Sequence, residues 1–138
     1  MSLLFAVLPQ AALASDGLPR TSDVIEIDGR LDEAAWAGAL RIDLDVETEP
    51  GENIEARVRT VVFLVEDGEN LFVAFDAEDP EPAAIRAFLR DRDNAWEDDY
   101  VGITLDTYNN ERRAFQFYVN PLGVQMDRKH DEFGANRG

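Results

Sequence analysis

The sequence predicts an all-β fold, an antiparallel β-sandwich with one or two short helices. Two observations carry this: apolar residues recur with a period of two rather than 3.6, and the alternating stretches are short and separated by turns rich in Gly, Asp and Asn. The first strand is expected over residues 24–27. Residues 32–39 follow as a helix of about two turns with Asp32 as its N-cap, and residues 41–44 as a short strand. Residues 58–65 form a long strand in which Val58, Thr60, Val62 and Leu64 share one face. Its other face changes from Arg57 and Arg59 to Val61, Phe63 and Val65, so the strand passes into a two-sided interior halfway along. Asp67-Gly68 is a hairpin dipeptide, because its glycine accepts positive φ, and Leu71, Val73 and Phe75 turn the next strand toward the core. Pro82 suits a first helical position and predicts a second short helix over residues 83–90. Val101, Ile103 and Leu105, and then Phe115, Phe117 and Val119, alternate with more polar neighbours. These two runs should pair as an antiparallel hairpin across the polar residues 107–112. Several short strands with little helix make the sandwich the natural architecture.

The chain has 138 residues, 45% apolar and 30% charged, which is one ordinary domain with enough apolar surface for a core. Its 29 acidic and 13 basic residues leave a net charge of -16, which would repel nucleic acid. Such an excess keeps a surface soluble, and where carboxylates cluster it also favours a hard cation. There are no cysteines, which removes disulfides, thiolate nucleophiles and Cys-ligated metals.

Residues 1–14 read as a signal peptide: an apolar run closes on Ala12-Leu13-Ala14, so that Ser15 becomes the mature N-terminus, although no positive residue precedes the run. The run is too short to span a bilayer. Residues 15–138 read as one domain. Residues 127–138 turn polar and Gly-containing without a closing apolar strand, which predicts a domain incomplete at its C-terminus.

Two longer signatures add a resemblance. Ile27-Asp28-Gly29-Arg30-Leu31-Asp32-Glu33-Ala34-Ala35-Trp36 resembles the opening of family 9 carbohydrate-binding modules, and Trp96-Glu97-Asp98-Asp99-Tyr100-Val101, followed by Ile103-Thr104-Leu105-Asp106, resembles the stretch in which a Trp and an acidic pair lead into a core strand. Asp79-Pro80-Glu81-Pro82, Arg90-Asp91-Arg92-Asp93 and the run from Phe117 to Gln125 are similar to the variant at the N-terminus of large exported proteins of Gram-negative bacteria. There the domain precedes an outer-membrane β-barrel. The resemblance covers residues 22–127 and implies a sandwich, carbohydrate binding, frequently a calcium ion, a location in the periplasm or outer membrane, and a membrane barrel as C-terminal partner. The chain departs from the pattern twice. Gly102 stands where sugar-binding members usually carry a glutamate, and the family's second aromatic wall comes from a later segment that this sequence does not include.

Sugar recognition needs aromatic faces against pyranose C–H groups and planar polar side chains that fix hydroxyl directions. Trp96 is the candidate platform, with Asp98, Tyr108, Arg112, Gln116 and Asn120 as the candidate polar ring. Trp36 ends an apolar helical face and reads as a core anchor. For metal, Asp91, Asp93, Glu97, Asp98 and Asp99 concentrate carboxylates, but without the glycine and terminal glutamate of an EF-hand loop, which leaves a looser oxygen cage suited to calcium. Other classes remain open. Asp98 and Asp106 could serve as the acid and base of a glycoside hydrolase, Met126 and His130 as axial ligands of a haem-binding sandwich, and a domain with a decayed sugar site could simply pack on a barrel.

Overall fold

The computed structural model describes residues 17–48, 52–110, 112–131 and 134–137. The expected signal peptide, residues 1–14, lies outside them. The fold is all-β and antiparallel with one short α-helix, and it divides into two compact units, one ending at Pro80 and the other beginning at Glu81.

The first unit is a three-stranded sheet of β1 (Leu40–Glu47), β2 (Ile54–Glu66) and β3 (Leu71–Ala77), in the order β1-β2-β3. Cross-strand pairing puts Ile42, Val62 and Phe75 in one row and Leu40, Leu64 and Val73 in the next, so the central strand is held by aliphatic and aromatic neighbours on both sides. Along β2 the burial alternates as far as Arg59, then becomes nearly continuous, with Thr60, Val61, Val62, Leu64 and Val65 all buried. The expected change to a two-sided interior is therefore present. The β2–β3 turn is laced by Asp67, whose carboxylate accepts from the amides of Glu69 and Asn70 and from the Asn70 side chain at 2.7–3.0 Å. Gly68, at φ 97°, supplies the positive φ.

Residues 24–27 are not a strand. Val24 and Ile27 are exposed, and the Glu26 amide donates to the Glu33 carboxylate at 2.9 Å rather than to a neighbouring strand. The backbone that does pair lies earlier: Thr21 N donates to Glu66 O at 2.8 Å and Glu66 N to Pro19 O at 3.0 Å. The expected helix over 32–39 shortens to α1 (Ala34–Ala37), with Glu33 rather than Asp32 at the N-cap. Glu33 also accepts the indole N–H of the buried Trp36 at 2.8 Å. One carboxylate thus ties the 26–33 loop to the helix, and these bonds, the Glu26 amide first, hold it below the usual carboxylate range.

The second unit is a four-stranded sheet of β4 (Val101–Leu105), β5 (Arg113–Val119), β6 (Gln125–Asp131) and β7 (Gly134–Arg137), in that order. The predicted β4–β5 pairing is present, with Ile103 opposite Phe117. Residues 127–138, expected to hold no closing apolar strand, supply most of β6 and all of β7. Apart from Met126, β6 is polar, so neither periodicity nor hydrophobicity marks it, and its hydrogen bonds to β5 over the full length of both strands make it. The second expected helix reduces to a single 3-10 turn at Pro82–Ala84, after which residues 85–91 form no helix or strand. Ala95, Val124 and Met126 form a small core, against which Trp96, Tyr100 and Tyr118 pack. Among the described residues no helix is long and apolar enough to cross a membrane.

Candidate functional site

The most developed cluster of chemistry lies on one face of β4–β5–β6. Alternation along the strands and the observed register place Gly102 and Thr104, then Ala114, Gln116 and Tyr118, then Met126, Arg128 and His130 on this face. Trp96 and Tyr100, from the segment entering β4, cover its Met126 end. The three rings of Trp96, Tyr100 and Tyr118 meet edge to face with centroids 5.3–6.2 Å apart, the arrangement favoured by ring quadrupoles. The Arg128 guanidinium lies 4.0 Å from the Trp96 centroid and 6.0 Å from that of Tyr118, within cation–π range. Gln116 sits opposite Arg128 across the β5–β6 pair and points its amide nitrogen at Thr104 Oγ1 at 3.4 Å. Burial pushes the Tyr118 phenol above its usual range while the Arg128 charge works against this, so it stays a neutral donor at pH 7.

Gly102 acquires a structural cause here. A Cβ at this position would lie 2.2 Å from Tyr118 Cδ1 and 2.7 Å from Cε1. The ring occupies the space that any side chain at 102 would need.

Asp98 and Asn120 are drawn together, but inside the fold. Asp98 is 1% exposed and Asn120 3%. Asp98 Oδ2 accepts from the Phe88 amide and from Asn120 Nδ2, both at 3.0 Å, and Oδ1 faces Arg90 Nε at 3.6 Å. Asn120 Nδ2 also donates to Phe88 O at 3.1 Å, while Oδ1 accepts from the amides of Leu122 and Val124. All the hydrogen-bonding capacity of Asn120 is therefore spent on the β5–β6 turn and the 88–98 segment. Burial pushes the Asp98 carboxyl up, but the Phe88 amide, Asn120 and the Arg90 and Arg86 charges outweigh it and hold the group below its usual range.

Tyr108 and Arg112 belong to the exposed β4–β5 loop, at the far end of β4 from Trp96. The loop is shaped by Asp106, which accepts from the amides of Tyr108 and Asn110. Of the expected sugar ring, then, Trp96 and Gln116 share a face, while Asp98 and Asn120 support it from within. Sequence reasoning missed Arg128 and Tyr118. Cross-strand register was the signal needed, and β6 had no apolar pattern to reveal it.

The expected metal cluster disperses. Asp93 Oδ1 accepts from the Asp127 amide at 2.9 Å, Asp99 Oδ2 from the Arg86 amide at 2.7 Å, Glu97 pairs with Arg86, and Asp98 turns inward. Asp91 offers its backbone carbonyl to Asn94. Among the described residues no three acidic or histidine side chains converge as a cation cage. Met126 is buried in the small core and His130 is exposed.

A groove of about 680 Å3 opens in the first unit between residues 20–25 and the β2–β3 turn. Of its charged groups, Arg20 faces Glu66 at 3.6 Å and Asp67 is engaged in its own turn. Compared with known proteins, the chain matches no protein-family model, no curated protein and no solved structure, so a functional reading rests on these residues and their geometry.

Proposed function

We propose that this chain is a non-catalytic carbohydrate-binding domain whose binding surface is the β4–β5–β6 face carrying Trp96, Gln116, Tyr118 and Arg128. The observation that carries the reading is the Arg128 guanidinium held 4.0 Å over Trp96, directly across from the Gln116 amide. A pyranose has apolar C–H faces and an equatorial fringe of hydroxyls. Half-exposed aromatic rings suit the first, and planar donors on rigid strands suit the second. The resemblance to family 9 modules supports the same reading through Trp96. Catalysis is disfavoured because Asp98 faces inward and Asp106 caps the β4–β5 turn, so neither is displayed beside a glycosidic bond.

Titration of the full chain with soluble oligosaccharides, read by tryptophan fluorescence and calorimetry, tests this. Trp96→Ala should cost on the order of 1–3 kcal/mol of binding while circular dichroism shows the sheet retained. A folded Trp96→Ala variant that binds as tightly as the parent sinks the reading. A second reading has its own observation: on the opposite face Val101, Ile103, Leu105, Phe115, Phe117 and Val119 are only partly covered, with Phe117 45% exposed. An apolar sheet face of this kind suits a domain that packs on another protein surface. Absence of binding to every glycan offered would leave that reading in place.

A further inference from the structure

From the placement of Arg128 we infer that the sugar this face takes is acidic, a uronic-acid-containing oligosaccharide whose C6 carboxylate is received by the Arg128 guanidinium. This deepens the carbohydrate reading and rests on it. The electrostatics of the strand faces point to it. The chain carries a net charge of -16, yet the eight strand positions of this face hold no carboxylate, only Gly102, Thr104, Ala114, Gln116, Tyr118, Met126, Arg128 and His130. The acidic residues of β6, Asp127 and Asp131, alternate onto the other face, where Asp127 pairs with Arg92 and Asp131 with Arg113.

Arg128 differs from most of the other arginines. Arg20, Arg30, Arg41, Arg57, Arg59, Arg86, Arg90, Arg92 and Arg113 each face a carboxylate. Arg128 has no carboxylate partner among the described residues. Its guanidinium lies instead over the rings of Trp96 and Tyr118, and a guanidinium held by ring faces keeps its N–H groups for a planar, two-oxygen acceptor. A carboxylate is such an acceptor, bound through paired charge-assisted hydrogen bonds. Gln116, directly opposite, adds a neutral donor and acceptor for a ring hydroxyl. The overall negative charge does not decide against an anionic ligand. At physiological ionic strength the Debye length is about 8 Å, so the nearest groups dominate the potential at this face.

The probes are matched pairs that differ only at C6: β-1,4-linked oligomannuronate against β-1,4-linked manno-oligosaccharide of equal length, and oligoglucuronate against cello-oligosaccharide. Each is titrated into the full chain and into Arg128→Gln and Arg128→Lys variants, with melting temperature as the fold control. The acidic member of at least one pair should bind about tenfold or more tightly than its neutral partner. That advantage should vanish in Arg128→Gln, survive in part in Arg128→Lys, and shrink as salt is raised from about 0.05 M to about 0.5 M. The salt series on the unaltered chain keeps the test valid even if a variant fails to fold. Neutral sugars binding as well as acidic ones, or acidic binding that ignores Arg128 and salt, would overturn this inference and leave the carbohydrate reading standing. No binding by either class would overturn both.

Discussion

Tyr118 lies over the backbone of Gly102 so closely that position 102 admits no side chain without moving the ring. Introducing Gly102→Glu would supply the acceptor that sugar-binding family 9 modules usually carry there, yet it would also displace Tyr118 from Trp96 and Arg128. The expected result is a loss of roughly 1–3 kcal/mol of stability and no gain in glycan affinity. Unchanged melting with tighter binding would show that the ring yields easily. Asp98 acts in the opposite way, as a buried ion kept charged by its neighbours. Because its carboxyl is depressed in the folded state, its contribution is fully present above the unfolded-state value and is lost as pH falls through the folded-state value. Asp98→Asn should therefore melt well below the parent at neutral pH, and the gap should narrow progressively on acidification. A gap that stayed constant with pH would mean that its charge adds nothing.

At the scale of elements, α1 is too short to be stable by itself, since helices need about 12–15 residues before propensity alone sustains them. Tertiary anchoring holds it. Trp36 is buried and its indole is bonded to Glu33, which in turn gathers the Glu26 amide. Trp36→Ala should cost roughly 3–5 kcal/mol, measured by denaturant unfolding, and a cost below about 1 kcal/mol would place the ring outside the core. The β5–β6 turn is a second such element. Asn120 organises it through the amides of Leu122 and Val124, and Gly123 at φ 80° completes the reversal.

For the whole molecule, the acidic surplus is spread rather than focused. Arg86 and the amides of Arg86, Phe88 and Asp127 take up oxygens of Glu97, Asp99, Asp98 and Asp93, the residues that a calcium cage would have needed. Melting temperatures in EDTA and in millimolar calcium should accordingly agree, because only a ligand bound by the native state raises stability. A calcium-dependent rise would show that these carboxylates rearrange around the ion.

The all-β class, the β2–β3 and β4–β5 hairpins and the change of β2 from half-buried to two-sided were all legible in the chain itself. Period-two alternation and turn residues encode them locally, as Val61, Phe63 and Val65 and Asp67-Gly68 show. Local pattern was insufficient wherever a partner decides the outcome. Residues 24–27 look like a strand but pair with no strand among the described residues, whereas polar β6 becomes one because β5 offers a full edge. The same holds at the candidate site. Trp96 and Gln116 could be picked out by residue type, but that Asp98 and Asn120 turn inward, that Tyr118 claims the space at Gly102, and that Arg128 rests on Trp96 are facts of strand register. Register is set by hydrogen bonds between segments distant in sequence, and only the folded chain brings those segments together.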